Sequence, residues 1–358
     1  MKIYKIAVTG GPCALKTKSI QAIENHLKEK YSLPVFLLEE TATDLIKNII
    51  HPDDCADVRN FQTLVFGTQT SKEQELREKI INEYDFYQCV VICDRGILDN
   101  KAYLPCQKDF DKILDEYNYS EIKILDSYDL VIDLISTANS EYGNYGKDNN
   151  KERFENDEFA KKLDIKTTNA WVAHRNLEIV DCKPTEEEKI NNILKIIDSY
   201  FGEREVKIQN SYKIDTSSSD FSIYNDENSK LINIEEYELN NPFEGKYTFI
   251  RRSYKGEDSY LMHFTENING KDRIIYDGTI TRTAFTRLVR GERCNLISEK
   301  KRLTFAKDKK IYNIDFYSNN EAYLVIDGDI KDYDLPSYVK LSDEKNVEKS
   351  NKILRKTL

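Results

Sequence analysis

The chain reads as an α/β protein, with a parallel sheet covered by helices on both faces, followed by an antiparallel, barrel-like β domain. Two patterns predict this. Short, continuous apolar runs alternate with helical stretches as far as Phe201, as in a parallel sheet buried on both sides. Beyond Phe201 the chain turns to aromatic-rich alternation with polar turns, which signals antiparallel strands.

In the first part, strands are expected at Ile3–Val8, Val35–Leu38, Cys89–Cys93, Leu130–Leu134 and Leu177–Val180. Helices are expected at Lys16–Lys30, Thr41–Ile50, Asp57–Tyr84, Ile97–Tyr103, Asp109–Tyr117, Asp157–Val172 and Thr185–Phe201. In the second part, Ser217–Ser219 and Asn225–Ser229 read as turn or linker. Strands follow from Leu231, among them Tyr247–Arg251, Tyr260–Glu266, Arg273–Gly278, Lys301–Ala306, Lys310–Tyr317 and Ala322–Ile330. Asn269-Gly270 reads as a hairpin turn, and Arg282–Val289 as the one clear helix. The expected division is residues 1–202, 203–345 and a charged tail, 346–358.

The most informative stretch is Gly10-Gly11-Pro12-Cys13-Ala14-Leu15-Lys16-Thr17, lying between the first strand and the first helix. A glycine-containing turn at such a junction aims backbone N–H groups and a helix N-terminus at one point, where phosphate oxygens are held. Gly10, Gly11, Cys13, Ala14, Leu15, Lys16, Thr17 and Lys18 are therefore expected to line a nucleotide. Lys16 would reach the outer phosphates and Thr17 would offer its hydroxyl to magnesium. Leu15 stands where the pattern normally has glycine. The bland alternative is a tight turn and nothing more.

Other groups qualify this picture. Asp94-Arg95-Gly96 closes a strand, so Asp94 is a candidate magnesium ligand and Arg95 a candidate for substrate phosphate. The same residues could form a surface turn, with Asp capping the next helix. Asp99 is a weaker candidate that ordinary first-turn helix chemistry would explain. Glu39-Glu40 closes the second strand, where Glu40 could grip an acceptor hydroxyl or simply begin a helix capped by Thr41. Asp148–Glu155, carrying Arg153 and following the loop Asn139–Lys147, suits either a phosphate-covering lid or a solvated loop. His174 reads as structural.

Composition narrows the class. The 358 residues suffice for two cores, and 39% hydrophobic with 32% charged residues fits a polar globular protein. A net charge of −10 gives no general pull toward nucleic acid, so none is expected as a partner. No apolar run is long enough to span a bilayer, and the first residues enter a strand with no basic-then-apolar signal segment. The seven scattered cysteines read as reduced thiols of a cytoplasmic protein. Cys89 and Cys93 lie too far apart along a strand to be a metal pair.

Taken together, these residues resemble a known family. The quoted loop, Glu40-Thr-Ala-Thr-Asp-Leu-Ile, Phe61-Gln62 with Gln69, Cys93-Asp94-Arg95-Gly96 with Asp99 and Tyr103, Asn149-Asn150-x-x-Arg153-x-Glu155, and Ala170-Trp171 with His174 resemble the AAA_28 group of ATP/GTP-binding P-loop domains, whose members look like NadR-type and deoxynucleoside kinases. The second half is similar to the CYTH-like, triphosphate-tunnel domain that follows this module in the TRPL translocation defect proteins and their bacterial relatives. The resemblance implies ATP or GTP and Mg2+ as cofactors. Gly10, Gly11, Lys16 and Thr17 would serve as phosphate and magnesium residues, with Asp94 as a second metal-side carboxylate and Arg153 as a lid arginine. It also implies a phosphorylated small molecule or polyphosphate for the barrel. Glu235-Glu236 stands where that domain's acidic motif belongs, without its full spacing. Arg251-Arg252, Arg273 and Lys300-Lys301-Arg302 would give a basic lining, and Asp315, Asp327 and Asp329 an acidic one. The implied activity is that of an NTPase or small-molecule kinase, or alternatively a nucleotide-dependent switch with little turnover.

Overall fold

The computed structural model describes residues 1–50, 52–55, 57–142, 157–207, 209–221, 227–290, 293–342 and 348–349. The chain divides into two compact units, Met1–Phe201 and Gly202–Leu358.

The first unit is built on β1 (Lys2–Thr9), β2 (Val35–Leu38), β3 (Gln88–Asp94), β4 (Leu130–Leu134) and β5 (Leu177–Val180). They form a parallel sheet in the order β2-β3-β1-β4-β5. The five expected strands are all present. Interior strand β4 is buried along its whole length, including Asp133 at 0% exposure. Helix α1 (Lys16–Tyr31) buries Ile20, Ile23 and Leu27, one stripe at helical spacing. It stops at Ser32, a left-handed residue whose N–H bonds back to Leu27 O.

The remaining helices of this unit are α2 (Thr41–Asn48), α3 (Val58–Glu83), α4 (Asp99–Tyr103), α5 (Gln107–Tyr117), α6 (Glu121–Ser127), α7 (Asp157–Trp171) and α8 (Glu186–Phe201). Asp57 caps α3 by accepting the Asn60 N–H. Sequence reasoning missed α6. Its seven residues are too few for a periodic signal, and burial of Ile122, Ile124 and Leu125 holds it in place. The core gathers β1, β3 and β4 against α1 and α8, through Ile6, Val8, Ile92, Ile132, Ile193 and Ile197.

The second unit contains β6 (Gln209–Lys213), β7 (Ser229–Leu239), β8 (Lys246–Tyr254), β9 (Glu257–Ile268), β10 (Lys271–Thr279), α9 (Arg282–Val289), β11 (Cys294–Lys307), β12 (Lys310–Phe316), β13 (Ala322–Asp327) and the two-residue β14 (Glu348–Lys349). The sheet runs β10-β9-β8-β7-β11-β12-β13-β6-β14, antiparallel throughout. Its two ends meet on one segment. Arg204–Val206 hydrogen-bonds to β10, and the same segment runs on into β6, which pairs with β13. This gives the sheet the barrel-like character expected from sequence. Asn269 and Gly270 both take positive φ, 55° and 79°, the signature of the hairpin turn. The predicted strand Ala322–Ile330 ends early, at Asp327, and Asp329 instead caps a short 3-10 turn. Asp329, expected in the acidic lining of this strand, therefore lies beyond its end.

Candidate functional site

The turn after β1 is held from below. Gly10 has φ 131°, and a Cβ there would lie 2.0 Å from the Leu134 carbonyl oxygen, so no side chain fits. Gly11 is as tightly placed, with Asp164 Oδ1 2.6 Å from where its Cβ would stand. Asp164, on α7, accepts the N–H groups of Gly11 (3.0 Å) and Ser136 (2.9 Å) and an amide hydrogen of Asn139. The Ser136 hydroxyl donates to Pro12 O. Lys189 of α8 donates to Ala14 O and Ile135 O. Nothing in the sequence could have paired these residues with the loop, since they lie 124 to 175 positions away.

Three non-glycine residues here are left-handed: Cys13 (φ 58°), Leu15 (φ 73°) and Arg95 (φ 70°). Such strain at a loop is characteristic of functional sites. Leu15 takes the conformation that the missing glycine would take freely, and it occupies the N-cap of α1 with no side-chain cap bond. Thr17 and Lys18 follow it, exposed on the first turn of α1.

The β1–β3 register sets Val8 beside Asp94, and Arg95 N–H bonds to Val8 O. The Asp94-Arg95 turn is thereby brought to the loop. Lys16 Nζ donates to Gly10 O (3.1 Å) and Gly11 O (3.0 Å). Arg95 Nη1 donates to the same Gly10 O at 3.2 Å, while Arg95 Nε is ion-paired with Glu40 Oε1. Glu40 also accepts the Thr43 hydroxyl at 2.7 Å. Asp99 is almost fully buried (2% exposed). Its carboxylate accepts from the Thr9 hydroxyl (2.7 Å), the Trp171 indole N–H (2.6 Å) and the Gly96 N–H (3.2 Å). It therefore locks the turn that aims Arg95. Gln69, on α3, donates to Arg95 O.

The electrostatics follow from this crowding. Lys16 keeps some solvent exposure, yet burial of its ammonium, reinforced by Arg95, lowers its pKa to about 8. Burial would raise Glu40, but Arg95 and the Thr43 hydroxyl outweigh it and hold the carboxyl below its usual range. Burial raises Asp94, and neighbouring Glu40 adds to the effect. Asp94 Oδ1 is buried without a hydrogen-bond partner. A buried orphan carboxylate oxygen is costly unless a cation or water meets it, so Asp94 and Thr17 fit a divalent ion. Among the described residues, no group of three or more His, Cys, Asp or Glu forms a metal cage. A cation here would therefore draw its remaining oxygens from phosphate and water.

Glu39 is exposed and takes no part in this arrangement. His174 is buried; its Nδ1 accepts the Asn176 N–H, and Nε2 lies 3.0 Å from Tyr128 O, a structural setting. Arg153, with Asn149, Asn150 and Glu155, lies outside the described residues. No disulfide joins any of the seven cysteines. Among the described residues, no helix is long and apolar enough to cross a membrane.

A strand, a glycine-initiated loop closing on a lysine-threonine pair, a helix, and an Asp-Arg turn on the adjacent parallel strand define a P-loop NTPase domain. The family model described as "AAA_28: AAA domain" matches residues 5–189. The chain belongs to the AAA_28 family. Among solved structures, thymidylate kinase from Ehrlichia chaffeensis is 14% identical with a TM-score of 0.37, the match covering 55% of this chain and 99% of that one. The hypothetical protein NE1496 is 14% identical with a TM-score of 0.26, covering 39% and 92%. No curated protein matches.

Proposed function

We propose that this chain binds ATP or GTP with magnesium and transfers the terminal phosphoryl group, either to water or to a small nucleoside- or nucleotide-like acceptor. The observation that supports this best is the convergence of Lys16 and Arg95 on the Gly10 carbonyl, beside the orphan oxygen of Asp94. Two cations and a cation-seeking carboxylate at the mouth of a phosphate loop match the needs of phosphoryl transfer, where positioning and charge neutralisation supply most of the acceleration.

In this reading the loop from Gly10 to Lys18 cradles the phosphate chain, and the Lys16 ammonium neutralises its outer end. Thr17 and Asp94 hold the magnesium ion, which supplies further charge neutralisation. Arg95, oriented by Glu40 and by the turn that Asp99 locks, faces the transferring group. Glu40 is a weak base because it is paired with Arg95, so its role is to orient an acceptor hydroxyl or water. Arg153 would add a covering cation. The second unit is read as a CYTH-like barrel that binds a phosphorylated ligand.

A second reading, a nucleotide-dependent switch with little turnover, is favoured by one observation: Leu15 puts a side chain where close approach of phosphate normally demands glycine. Incubation with γ-labelled ATP and GTP separates the two. Label on a metabolite means kinase, and free phosphate means NTPase. Stoichiometric retention means switch, and no bound label at all removes both readings.

A further inference from the structure

Two reactive side chains of the first unit are not used by the phosphate chemistry. Cys182 follows β5, in the segment that leads to α8, and Lys189 lies in the first turn of α8. Both are buried, at 5% and 3% exposure, and Lys189 Nζ lies 3.6 Å from Cys182 Sγ. The two also share an acceptor. Lys189 Nζ donates to Ile135 O at 2.8 Å, and Cys182 Sγ donates to the same oxygen at 3.3 Å. The remaining contact of Nζ is Ala14 O of the phosphate loop, at 3.2 Å.

A buried lysine ordinarily has a carboxylate partner. The N–H groups of Lys189 go instead to two carbonyls and a sulfur, and no carboxylate among the described residues pairs with it. Burial lowers its pKa, although Cys182, Asp164 and Asp181 oppose the shift, so a neutral amine becomes available beside the sulfur. Cys89 and Cys93, both 0% exposed, are buried thiols of the inert kind, and burial raises their pKa. Cys182 differs in its amine neighbour and in its place. The next residue, Lys183, is exposed, and a molecule little larger than water reaches the sulfur through local opening of this surface segment.

We propose that Cys182 and Lys189 form a reversible sulfur–nitrogen cross-link in response to peroxide. Peroxide first oxidises the Cys182 thiol to a sulfenic acid and is itself reduced to water. The neutral Lys189 amine then attacks that sulfur. The S–N bond forms, the S–O bond breaks, and the hydroxyl leaves with an amine proton as a second water. The pair has lost two hydrogens, and a thiol reductant restores both side chains. The bonded nitrogen keeps one N–H and no charge, so it no longer serves Ala14 O and Ile135 O together. A buried carbonyl of the phosphate loop then lacks its partner, and the loop that Lys189 clamps is released. This consequence rests on the nucleotide reading above, whereas the cross-link does not.

Peptide mapping of the full chain, digested without reductant, tests the link. Before oxidation, trypsin spares the Lys183-Pro184 bond and cuts after Arg175 and Lys189, releasing Asn176–Lys189. After hydrogen peroxide the blocked Lys189 resists cleavage. The expected peptide is Asn176–Lys195, about 2 Da lighter than its sequence and restored by dithiothreitol. Calorimetric titration with ATP or GTP and magnesium should show affinity about tenfold weaker after peroxide, as loss of a charge-assisted contact predicts, and recovered with dithiothreitol. Cys182→Ser should lose both responses, which separates this pair from oxidation at other cysteines. In Lys189→Gln the Cys182 peptide should gain oxygen instead of losing hydrogen. A wild-type Cys182 peptide that is unchanged, or that only gains oxygen, overturns the cross-link. A cross-link with unchanged affinity overturns its control of the loop and spares the nucleotide reading. Absence of nucleotide binding before peroxide removes that reading and leaves the cross-link standing.

Discussion

Lys16 and Arg95 donate to the same carbonyl oxygen, that of Gly10, at 3.1 and 3.2 Å. The two cations that would meet a triphosphate are thus held together by one backbone acceptor, with Glu40 pinning Arg95 from its other edge. Replacing Lys16 removes one of the pair and leaves the carbonyl bonded. Lys16→Ala is therefore expected to weaken ATP or GTP binding by about tenfold to a hundredfold, in line with loss of a charge-assisted contact, while circular dichroism stays native. Unchanged affinity in a calorimetric titration would remove the nucleotide assignment.

The depressed Lys16 pKa, about 8, gives binding a pH signature. Phosphate favours the ammonium, so the bound pKa lies above the free one, and binding takes up a proton once the pH exceeds the free value. Affinity should be flat below pH 8 and fall up to about tenfold per pH unit above it. Proton uptake is read by calorimetry in buffers of different ionisation enthalpy. Lys16→Arg should abolish the slope, because guanidinium does not titrate there.

Leu15 at φ 73° stores left-handed strain of about 1–2 kcal/mol, offset in part by the chain entropy that glycine would cost. Leu15→Gly should change stability by no more than about 1 kcal/mol and should tighten nucleotide binding or speed turnover. A clear loss of both would mark the leucine as an adaptation of this loop.

Gly96 faces the buried Trp171 indole, where an added Cβ would lie 2.4 Å from a ring carbon. Gly96→Ala should therefore destabilise the first unit by about 1–3 kcal/mol, the usual cost of overpacking. It should also reduce turnover by displacing Arg95. A denaturant midpoint unchanged from wild type would contradict the packing.

Asp133 lies on β4, an interior strand buried along its whole length. Burial raises its pKa to about 7, helped by Asp164 and opposed by the Thr168 hydroxyl, which donates to it at 2.5 Å. Between pH 4 and 7 the folded protein holds a proton that the unfolded chain releases. This group therefore makes stability fall as pH rises through that window and level off above it. Asp133→Asn should remove that slope and raise stability at pH 7, by an amount of order 2–4 kcal/mol. Thermal melts at pH 5 and pH 7.5 test the sign.

The strands of the first unit were legible because burial on both faces writes each as an apolar run, and the P-loop because its chemistry needs consecutive residues. The lining of the second unit was not legible. In Glu235-Glu236, Arg251-Arg252 and Lys300-Lys301, one residue of each pair faces in and the other out. Composition gives the pair, and only register tells its members apart. Strand β6, Gln-Asn-Ser-Tyr-Lys, escaped notice because it lines a polar interior and shows no apolar alternation.

The sequence by itself determined the two kinds of sheet, the phosphate loop and the Asp-Arg turn, since local periodicity and short motifs are properties of neighbouring residues. Only the tertiary structure decided that Asp164 and Lys189 clamp the loop, that Arg95 shares a carbonyl with Lys16, and which charges the second sheet encloses. Those relationships join residues far apart in the chain. They come from packing and strand register, which no stretch of sequence states alone.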